Sequence, residues 1–443
     1  MNTALPNLGP DERQLILNCA RLDLDGPTLN HTREILEQPL AWDAVVFFAW
    51  LHSVAPLLYR HLKRLDGSSR IPIEVKRKLL QLFHGVGFRN RQYSKALQDL
   101  LDAFAEASIP IIVVKGISLV ELIYGGLSLR PLIDLNLLIP EKERDRARDL
   151  LLRKDYVIWN RNPSQGRLFS QCHLVKRKGF KVDLLLQWHP VNWPRVHAMD
   201  LRRFWDEARP ARLSDRHTLI PSPVDLILYL CLMLDKPGFL NIAALDVEDP
   251  KEFVFTEWTG NRLIRFTDIR ETIRHYRAAI DWSELIERAK ASGIEGSVHA
   301  SLYWVTTLFD QTIEPWVLDA LHPPTPRRLR KRLYEALSER SNNNLSHSAA
   351  NSVVSDWWMK RRRRTQLRLV QLLQLLEFTF PHRRELRVLY RFPSDRGLSG
   401  MYALHVAKSL VFGLLPWIYR VLTKRKPPAI SAHGAPSRAG GRS

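Results

Sequence analysis

Apolar side chains recur three and four positions apart through the first hundred residues, which is the spacing of amphipathic helices. Residues 41–60 are so apolar that they predict a buried helix, and Pro56 should end or kink it. Residues 92–107 predict another helix, with Leu97 and Phe104 on its apolar face. The N-terminal part of the chain is therefore predicted to be helical.

The apolar period changes after Pro110. Short runs rich in β-branched and other apolar residues predict strands, while three- and four-residue spacing predicts helices between them. In order, the predicted elements are a strand over 111–114, a helix over 117–124, a strand over 132–139, a charged helix over 141–152 and a strand over 179–187. This alternation predicts an α+β fold with a small mixed-sheet core.

From Pro223 to about Ala320 the helical spacing returns, and three prolines between His322 and Pro326 then mark a boundary. The predicted organisation is a helical N-terminal region over 1–107, the mixed core over 108–215, a helical region over 216–322, a basic helical appendage over 327–426 and a disordered tail over 427–443. The mixed core is thus framed by helical regions on both sides.

The positive charge of the chain is concentrated at its C-terminal end. The formal net charge is +20, and residues 327–443 carry 24 Lys+Arg against 6 Asp+Glu, a net of +18. Such a charge favours contact with an anionic partner. The run Lys360–Arg364 and the apolar, basic-ended segment 404–426 leave nucleic acid and an anionic membrane surface open as partners, beside a solvated surface without a partner.

The cysteines do not suggest a structural disulfide or a zinc site. Cys19, Cys172 and Cys231 are odd in number, far apart and outside any CxxC motif. No secretory signal is recognisable, and the longest uncharged apolar run, 409–419, is shorter than the roughly 20 residues that a spanning helix needs. We therefore expect a cytoplasmic protein without disulfide partners, with peripheral membrane association as the alternative.

Polar side chains interrupt the apolar strand predicted over 132–139. Alternation places Ile133, Leu135, Leu137 and Ile139 on one buried face. Asp134 and Asn136 then lie on the other face, and Asp183 of a later strand can face Asp134 if the two strands are neighbours. Carboxylates that face each other favour a bound cation, typically Mg²⁺. By pattern alone, the polar positions could equally be the solvent face of an edge strand.

A glycine turn precedes this acidic strand. Gly116 follows the first strand and opens a short helix at Ser118, so its free backbone N–H groups could bind a phosphate. Lys115 and Arg130 could offset the negative charge of that phosphate. The remaining candidates, His173 and His189, have no partner at metal-ligand spacing, which favours a structural role for both.

Together these motifs resemble the nucleotidyltransferase superfamily of DNA polymerase β. They are most similar to a bacterial branch with the signature KG…L…Y…R…D-x-D, often associated with exopolysaccharide and peptide natural-product gene clusters. The matching residues are Lys115, Gly116, Leu119, Tyr124, Arg130 and Asp134. The resemblance extends over about residues 10–320.

The resemblance implies a polymerase-β-like core and Mg²⁺-assisted transfer of a nucleoside monophosphate from a nucleoside triphosphate. The acceptor hydroxyl would belong to a sugar, a small molecule or a protein. Asp134 and Asp183 would be the catalytic carboxylates, and with Asn136 they would be the metal ligands. The triphosphate would be bound by Lys115, Gly116, Ser118 and Arg130.

One position departs from the signature, because Asn136 stands where the family pattern expects an acidic residue. An amide is neutral and a weaker Mg²⁺ ligand than a carboxylate. The resemblance therefore leaves two readings open: a nucleotidyltransferase, or a catalytically impaired relative that acts as a binding or assembly factor, for instance in exopolysaccharide or natural-product biosynthesis.

Overall fold

A seven-stranded mixed sheet organises the part of the chain that the structure describes. The computed structural model describes residues 8–65, 71–159, 170–190, 199–234, 254–255, 263–309 and 313–322. All of these residues belong to one compact unit. The predictions for the basic appendage, including Lys360–Arg364 and 404–426, lie outside the described residues.

The N-terminal region is helical, as the apolar spacing predicts. Its helices are α1 (Pro10–Cys19), α2 (Gly26–Leu36), α3 (Trp42–Leu51), α4 (Ala55–Arg64) and α5 (Ile73–Glu106). The single helix expected over 41–60 is two helices, because the chain breaks at Ser53, whose φ is +63°. Pro56 lies in the first turn of α4, where its missing N–H costs no helical hydrogen bond.

The strands confirm the α+β class. They are β1 (Ile112–Lys115), β2 (Leu135–Leu138), β3 (Tyr156–Ile158), β4 (Gln171–Lys176), β5 (Asp183–Gln187), β6 (Arg209–Leu213) and β7 (Arg216–Ile220). Their order in the sheet is β3-β4-β5-β2-β1-β7-β6. The pairs β2–β5 and β1–β7 are parallel and the other neighbours are antiparallel.

Short helices connect the strands, and longer ones follow the sheet. A π-helical turn covers Leu119–Ile123, α6 covers Arg144–Arg153 and α7 covers Leu201–Asp206. After the sheet come α8 (Pro223–Leu234), α9 (Leu263–His275), α10 (Trp282–Ala291), α11 (Glu295–Phe309) and α12 (Pro315–Leu321). Within these described segments, no helix is long and apolar enough to cross a membrane. The three cysteines are buried, and none of them forms a disulfide.

Four strands were not predicted from the sequence. β3 and β4 lie in a stretch where the apolar alternation is short, and β6 and β7 form a hairpin whose turn residues are Ser214 and Asp215. Both turn residues have positive φ, +47° and +60°, a conformation that glycine or asparagine usually supplies. The sheet therefore continues to Ile220, past the core boundary predicted at residue 215.

The two faces of the sheet pack against different helices. On one face, α5 packs on β2 and β5 through a buried apolar cluster that includes Leu97, Leu100, Phe104, Leu135, Leu137, Leu184 and Leu186. On the other face, Ile112, Val114 and Leu138 join the apolar core of the surrounding helices. Leu135, Leu137 and Ile139 are buried as expected, but Ile133 is 56% exposed because it lies before the strand begins.

Candidate functional site

The sheet brings the three predicted metal ligands to one region. β2 and β5 are neighbouring parallel strands, with Leu135 opposite Leu184 and Asn136 opposite Leu185. This register puts Asp134, directly before β2, opposite Asp183, the first residue of β5. Because paired residues of adjacent strands point to the same face, Asp134, Asn136 and Asp183 share a face of the sheet. β2 and β5 are therefore neighbours, which is the condition for Asp183 to face Asp134.

The Asn136 side chain is completely buried and contacts Asp134. Its amide Nδ2 donates a hydrogen bond of 2.9 Å to Asp134 Oδ1. Its Oδ1 is buried and has no hydrogen-bond partner among the described residues. An unpaired buried oxygen is costly, so this position suits a ligand that can supply a donor or a cation.

Asp183 is partly exposed and lies beside two basic side chains. His173 Nε2 of β4 is 3.3 Å from Asp183 Oδ1, and Lys181 Nζ is 3.8 Å from Asp183 Oδ2. The sequence favoured a structural role for His173 because no partner was near it in the chain. The antiparallel pairing of β4 with β5 supplies this partner, so His173 joins the candidate site.

Lys115 enters the site through an irregularity in β1. The register of β1 against β2 shifts between Val113 and Lys115, and Lys115 pairs with Asn136. Such bulges re-aim a side chain next to a functional site. Burial lowers the pKa of the Lys115 ammonium, and the negative charge of Asp134 opposes this shift. Lys115 therefore lies close enough to Asp134 for its ammonium to offset negative charge there.

The turn after β1 needs glycine at residue 116. Gly116 has a φ of +75°, and a Cβ at this position would lie 3.4 Å from the Asp134 carbonyl oxygen and 3.6 Å from a Leu132 methyl carbon. Two residues later, the buried Ser118 Oγ has no hydrogen-bond partner in the described part of the chain. The turn thus packs directly on the segment that contains Leu132 and Asp134. The Ser118 hydroxyl is left to bind a ligand.

Replacing Gly116 with alanine should disturb this packing. We expect Gly116→Ala to lower the free energy of unfolding by about 1–2 kcal/mol because of the left-handed φ. It should also weaken binding of the nucleotide that the sequence resemblance implies, as the turn moves away from Asp134. Gly125→Ala is the matched control, because Gly125 has a φ of +64° but no atom within 4 Å of an added Cβ. Denaturant unfolding and nucleotide titration measure the two effects. Equal nucleotide affinities in the two variants would contradict the contact argument.

The guanidinium of Arg130 donates hydrogen bonds to other groups of the protein. Its Nε and Nη2 donate to Asp268 Oδ1 and Oδ2 of α9 at 2.7 and 2.6 Å, and its Nη1 donates to the Pro131 carbonyl at 3.2 Å. The Tyr124 hydroxyl donates to Asp268 Oδ1 at 2.8 Å. Burial and the Asp268 carboxylate raise the pKa of Tyr124 well above its ordinary value, so the phenol remains a donor. Arg130 thus anchors the segment before Asp134, while its contact with a phosphate stays a prediction.

Asn90 of α5 also holds the segment before Asp134. Its Nδ2 donates to the Leu127 and Arg130 carbonyls at 2.6 and 2.8 Å, and its Oδ1 accepts from the Leu132 N–H at 3.1 Å. Neither Asn90 nor Asp268 was predicted as a site residue. Asn90 is fully buried within α5, where asparagine is disfavoured without a specific role. The sequence held no signal for it, because the helix predicted there began only at residue 92 and the burial of Asn90 is visible only in the structure.

Two carboxylates and one amide oxygen are the possible cation ligands of the site. Asp134 and Asp183 supply carboxylates on one face, and Asn136 Oδ1 is a buried oxygen without a partner in the described segments. No group of three His, Cys, Asp or Glu side chains in those segments could hold a metal by itself. A cation here would therefore take further ligands from phosphate and water, as Mg²⁺ commonly does.

The comparison with protein families identifies the family to which the chain belongs. A family model described as an uncharacterised nucleotidyltransferase matches residues 38–310, more than half of the chain. The chain belongs to this nucleotidyltransferase family. No curated protein sequence matches the chain significantly.

The nucleotidyltransferase match contains the whole candidate site. It extends from just before α3 to the end of α11, and so includes the Gly116 turn, the acidic residues of β2 and β5, and Asp268. Membership supports nucleotidyl transfer as the general activity, with a nucleotide as substrate.

Proposed function

We propose that the site binds the triphosphate of a nucleoside triphosphate and transfers the nucleoside monophosphate to an acceptor hydroxyl, with Mg²⁺ as cofactor. One observation carries this proposal. Ser118 Oγ and Asn136 Oδ1, which flank the Gly116 turn, are buried without a hydrogen-bond partner among the described residues. Leaving such atoms unpaired costs about 1–3 kcal/mol each, so a bound ligand that pairs them is favoured.

Each residue of the site has a defined task in this proposal. The Gly116 turn and the Ser118 hydroxyl contact the phosphates, and Lys115 offsets their negative charge. Asp134, Asn136 and Asp183 would hold Mg²⁺, which would polarise the phosphate and stabilise the charge that develops on it. The acceptor oxygen bonds to the α-phosphorus as the bond to pyrophosphate breaks, and Asp183 takes up the hydroxyl proton. His173, next to Asp183, helps hold that carboxylate in place.

A second candidate function is supported by the Asn136 side chain. Its Nδ2 already stabilises the Asp134 carboxylate through a hydrogen bond, as a cation would otherwise do. The signature that the sequence resembles has a second acidic residue at this position, and an amide binds Mg²⁺ more weakly. The chain would then be a catalytically impaired relative that binds a nucleotide or assembles with other proteins.

Transfer of label from the α-phosphate distinguishes the two functions. The full chain is incubated with Mg²⁺, each α-³²P-labelled nucleoside triphosphate and an extract of the cells that make the protein, as a source of acceptors. We expect label to enter an acceptor with wild type, and Asn136→Asp to raise the rate through a stronger metal ligand. A silent wild type beside an active Asn136→Asp variant would support the impaired relative. If neither folded protein transferred label from ATP, CTP, GTP or UTP, the proposal of nucleotidyl transfer would be wrong.

A further inference from the structure

The carboxylate of Glu121 anchors the π-helical turn that follows β1. Glu121 belongs to this turn, Leu119–Ile123. Its Oε2 accepts the backbone N–H of Ser214 at 2.6 Å, and its Oε1 accepts the Ser214 hydroxyl at 2.8 Å. The Ser214 hydroxyl oxygen in turn accepts a hydrogen bond of 2.7 Å from Ser94 Oγ of α5. A single serine therefore connects the π-helical turn with the β6–β7 hairpin and with α5.

The hairpin turn holds Ser214 in an unusual backbone conformation. Ser214 and Asp215 have φ angles of +47° and +60°, and neither residue is glycine. Such conformations cost free energy and persist where the surrounding contacts determine them. The last pair of the β6–β7 ladder is Leu213 opposite Arg216, so the Ser214 N–H lies beyond the ladder. Ser214 is buried, and the Glu121 carboxylate gives its N–H the partner that a buried donor requires.

The other side chains of this segment are apolar and pack in two directions. Leu119 and Ile123 join the apolar core of the surrounding helices. Ile117 and Val120 join the cluster on the α5 side of the sheet. Apolar packing is not directional, so it determines the place of a short turn less sharply than hydrogen bonds do. The two hydrogen bonds of Glu121 therefore fix the rotation and height of the turn between the two clusters.

We propose that Glu121 is a positioning residue that fixes the place of the Ser118 hydroxyl beside the Gly116 turn. Ser118 directly precedes the π-helical turn, so a shift of that turn moves its hydroxyl. The proposal rests on the proposed function, because the place of this hydroxyl matters only if a phosphate binds there. Glu121 acts through the backbone of the turn, since its carboxylate is directed to Ser214.

Glu121→Ala tests this proposal, because it removes both hydrogen bonds to Ser214. The matched control is Glu12→Ala in α1, since the Glu12 carboxylate likewise accepts a backbone N–H, that of Ala41, at 2.7 Å. We expect Glu121→Ala to bind Mg²⁺–ATP about fivefold or more weakly than wild type, the usual lower limit of coupling between a remote residue and a binding site. Glu12→Ala should bind like wild type. Both are compared by calorimetric titration at a temperature where unfolding curves show each variant fully folded.

The sign of the effect and a conservative variant separate positioning from charge. Removing a negative charge near a bound triphosphate would strengthen binding, whereas loss of the anchor weakens it. Glu121→Gln keeps both contacts, because its amide oxygen accepts the Ser214 N–H and its amide nitrogen donates to the Ser214 hydroxyl oxygen. It should therefore restore most of the affinity. Unchanged or tighter binding by Glu121→Ala, or an equal loss in Glu121→Gln, would overturn the proposal.

The positioning claim can be judged even if no nucleotide binds. If wild type bound no nucleotide, the proposed function would be wrong. Crystal structures of wild type and of the two alanine variants would then decide the positioning claim. It stands if the distance between Ser118 Oγ and the Asp134 carboxylate changes in Glu121→Ala but not in Glu12→Ala, and it falls otherwise.

Discussion

Replacing Asp268 with alanine is expected to lower the free energy of unfolding by about 3–5 kcal/mol, because it leaves a buried arginine without its counter-charge. The side chains of Arg130 and Asp268 are only 12% and 3% exposed and form a two-pronged ion pair. Burial lowers the pKa of Arg130, but the Asp268 carboxylate reverses this shift, so the net pKa is raised and Arg130 remains charged. Asp268→Ala would also leave the Tyr124 hydroxyl without its acceptor.

The chain contains a matched control for this prediction. Asp102 and Arg216 form the same two-pronged pair, with hydrogen bonds of 2.6 and 3.0 Å, but their side chains are 47% and 43% exposed. When an exposed ion pair is broken, water solvates the charge that remains. Asp102→Ala should therefore destabilise the protein far less than Asp268→Ala. Denaturant unfolding of both variants gives the comparison. If the two variants lost similar amounts of unfolding free energy, burial would not explain the effect of removing Asp268.

A double replacement separates the ion pair from packing. Arg130→Met combined with Asp268→Leu removes both charges and keeps apolar volume, so it should be more stable than Asp268→Leu alone. If the double variant were less stable than the single one, the cost of an unpaired Arg130 would not explain the effect.

The parts of the fold that were predicted depend on patterns within a few residues. The alternation of Leu135, Leu137 and Ile139 placed Asp134 and Asn136 on the opposite face, and the structure has this arrangement with Asp183 on the neighbouring strand. These features follow from the two-residue period of a strand and from the pairing of apolar strands. They need no knowledge of distant contacts.

The parts that were missed depend on contacts between distant residues or on unusual turns. Arg130 and Asp268 are 138 positions apart in the chain, so no local pattern could show that this arginine pairs with a carboxylate. The contact of His173 with Asp183 likewise depends on strand β4, which was not predicted. The turn at Ser214 and Asp215 lacks the glycine that usually marks a hairpin.

Replacing Asp134 with alanine is expected to have the largest effect on the proposed reaction. Asp134 lies against the Gly116 turn, accepts the Asn136 amide and is the principal candidate ligand for Mg²⁺. Removing a group that stabilises the charge of a transition state typically slows a reaction by about 100-fold or more. We expect a loss of this size in label transfer by Asp134→Ala. Asp43→Ala is the control, because the Asp43 side chain is 89% exposed and remote in sequence from the site; equal rates in the two variants would argue against a catalytic role for Asp134.

Nucleotide titration of wild type and Asp134→Ala tests the central claim most directly. Each protein is titrated by calorimetry with ATP, CTP, GTP and UTP, once with Mg²⁺ and once with a chelator. Wild type should bind at least one of the four nucleotides about tenfold or more tightly with Mg²⁺ than without it. In Asp134→Ala this difference should disappear while the protein remains folded. A folded wild-type protein that binds none of the four nucleotides under either condition would contradict the account.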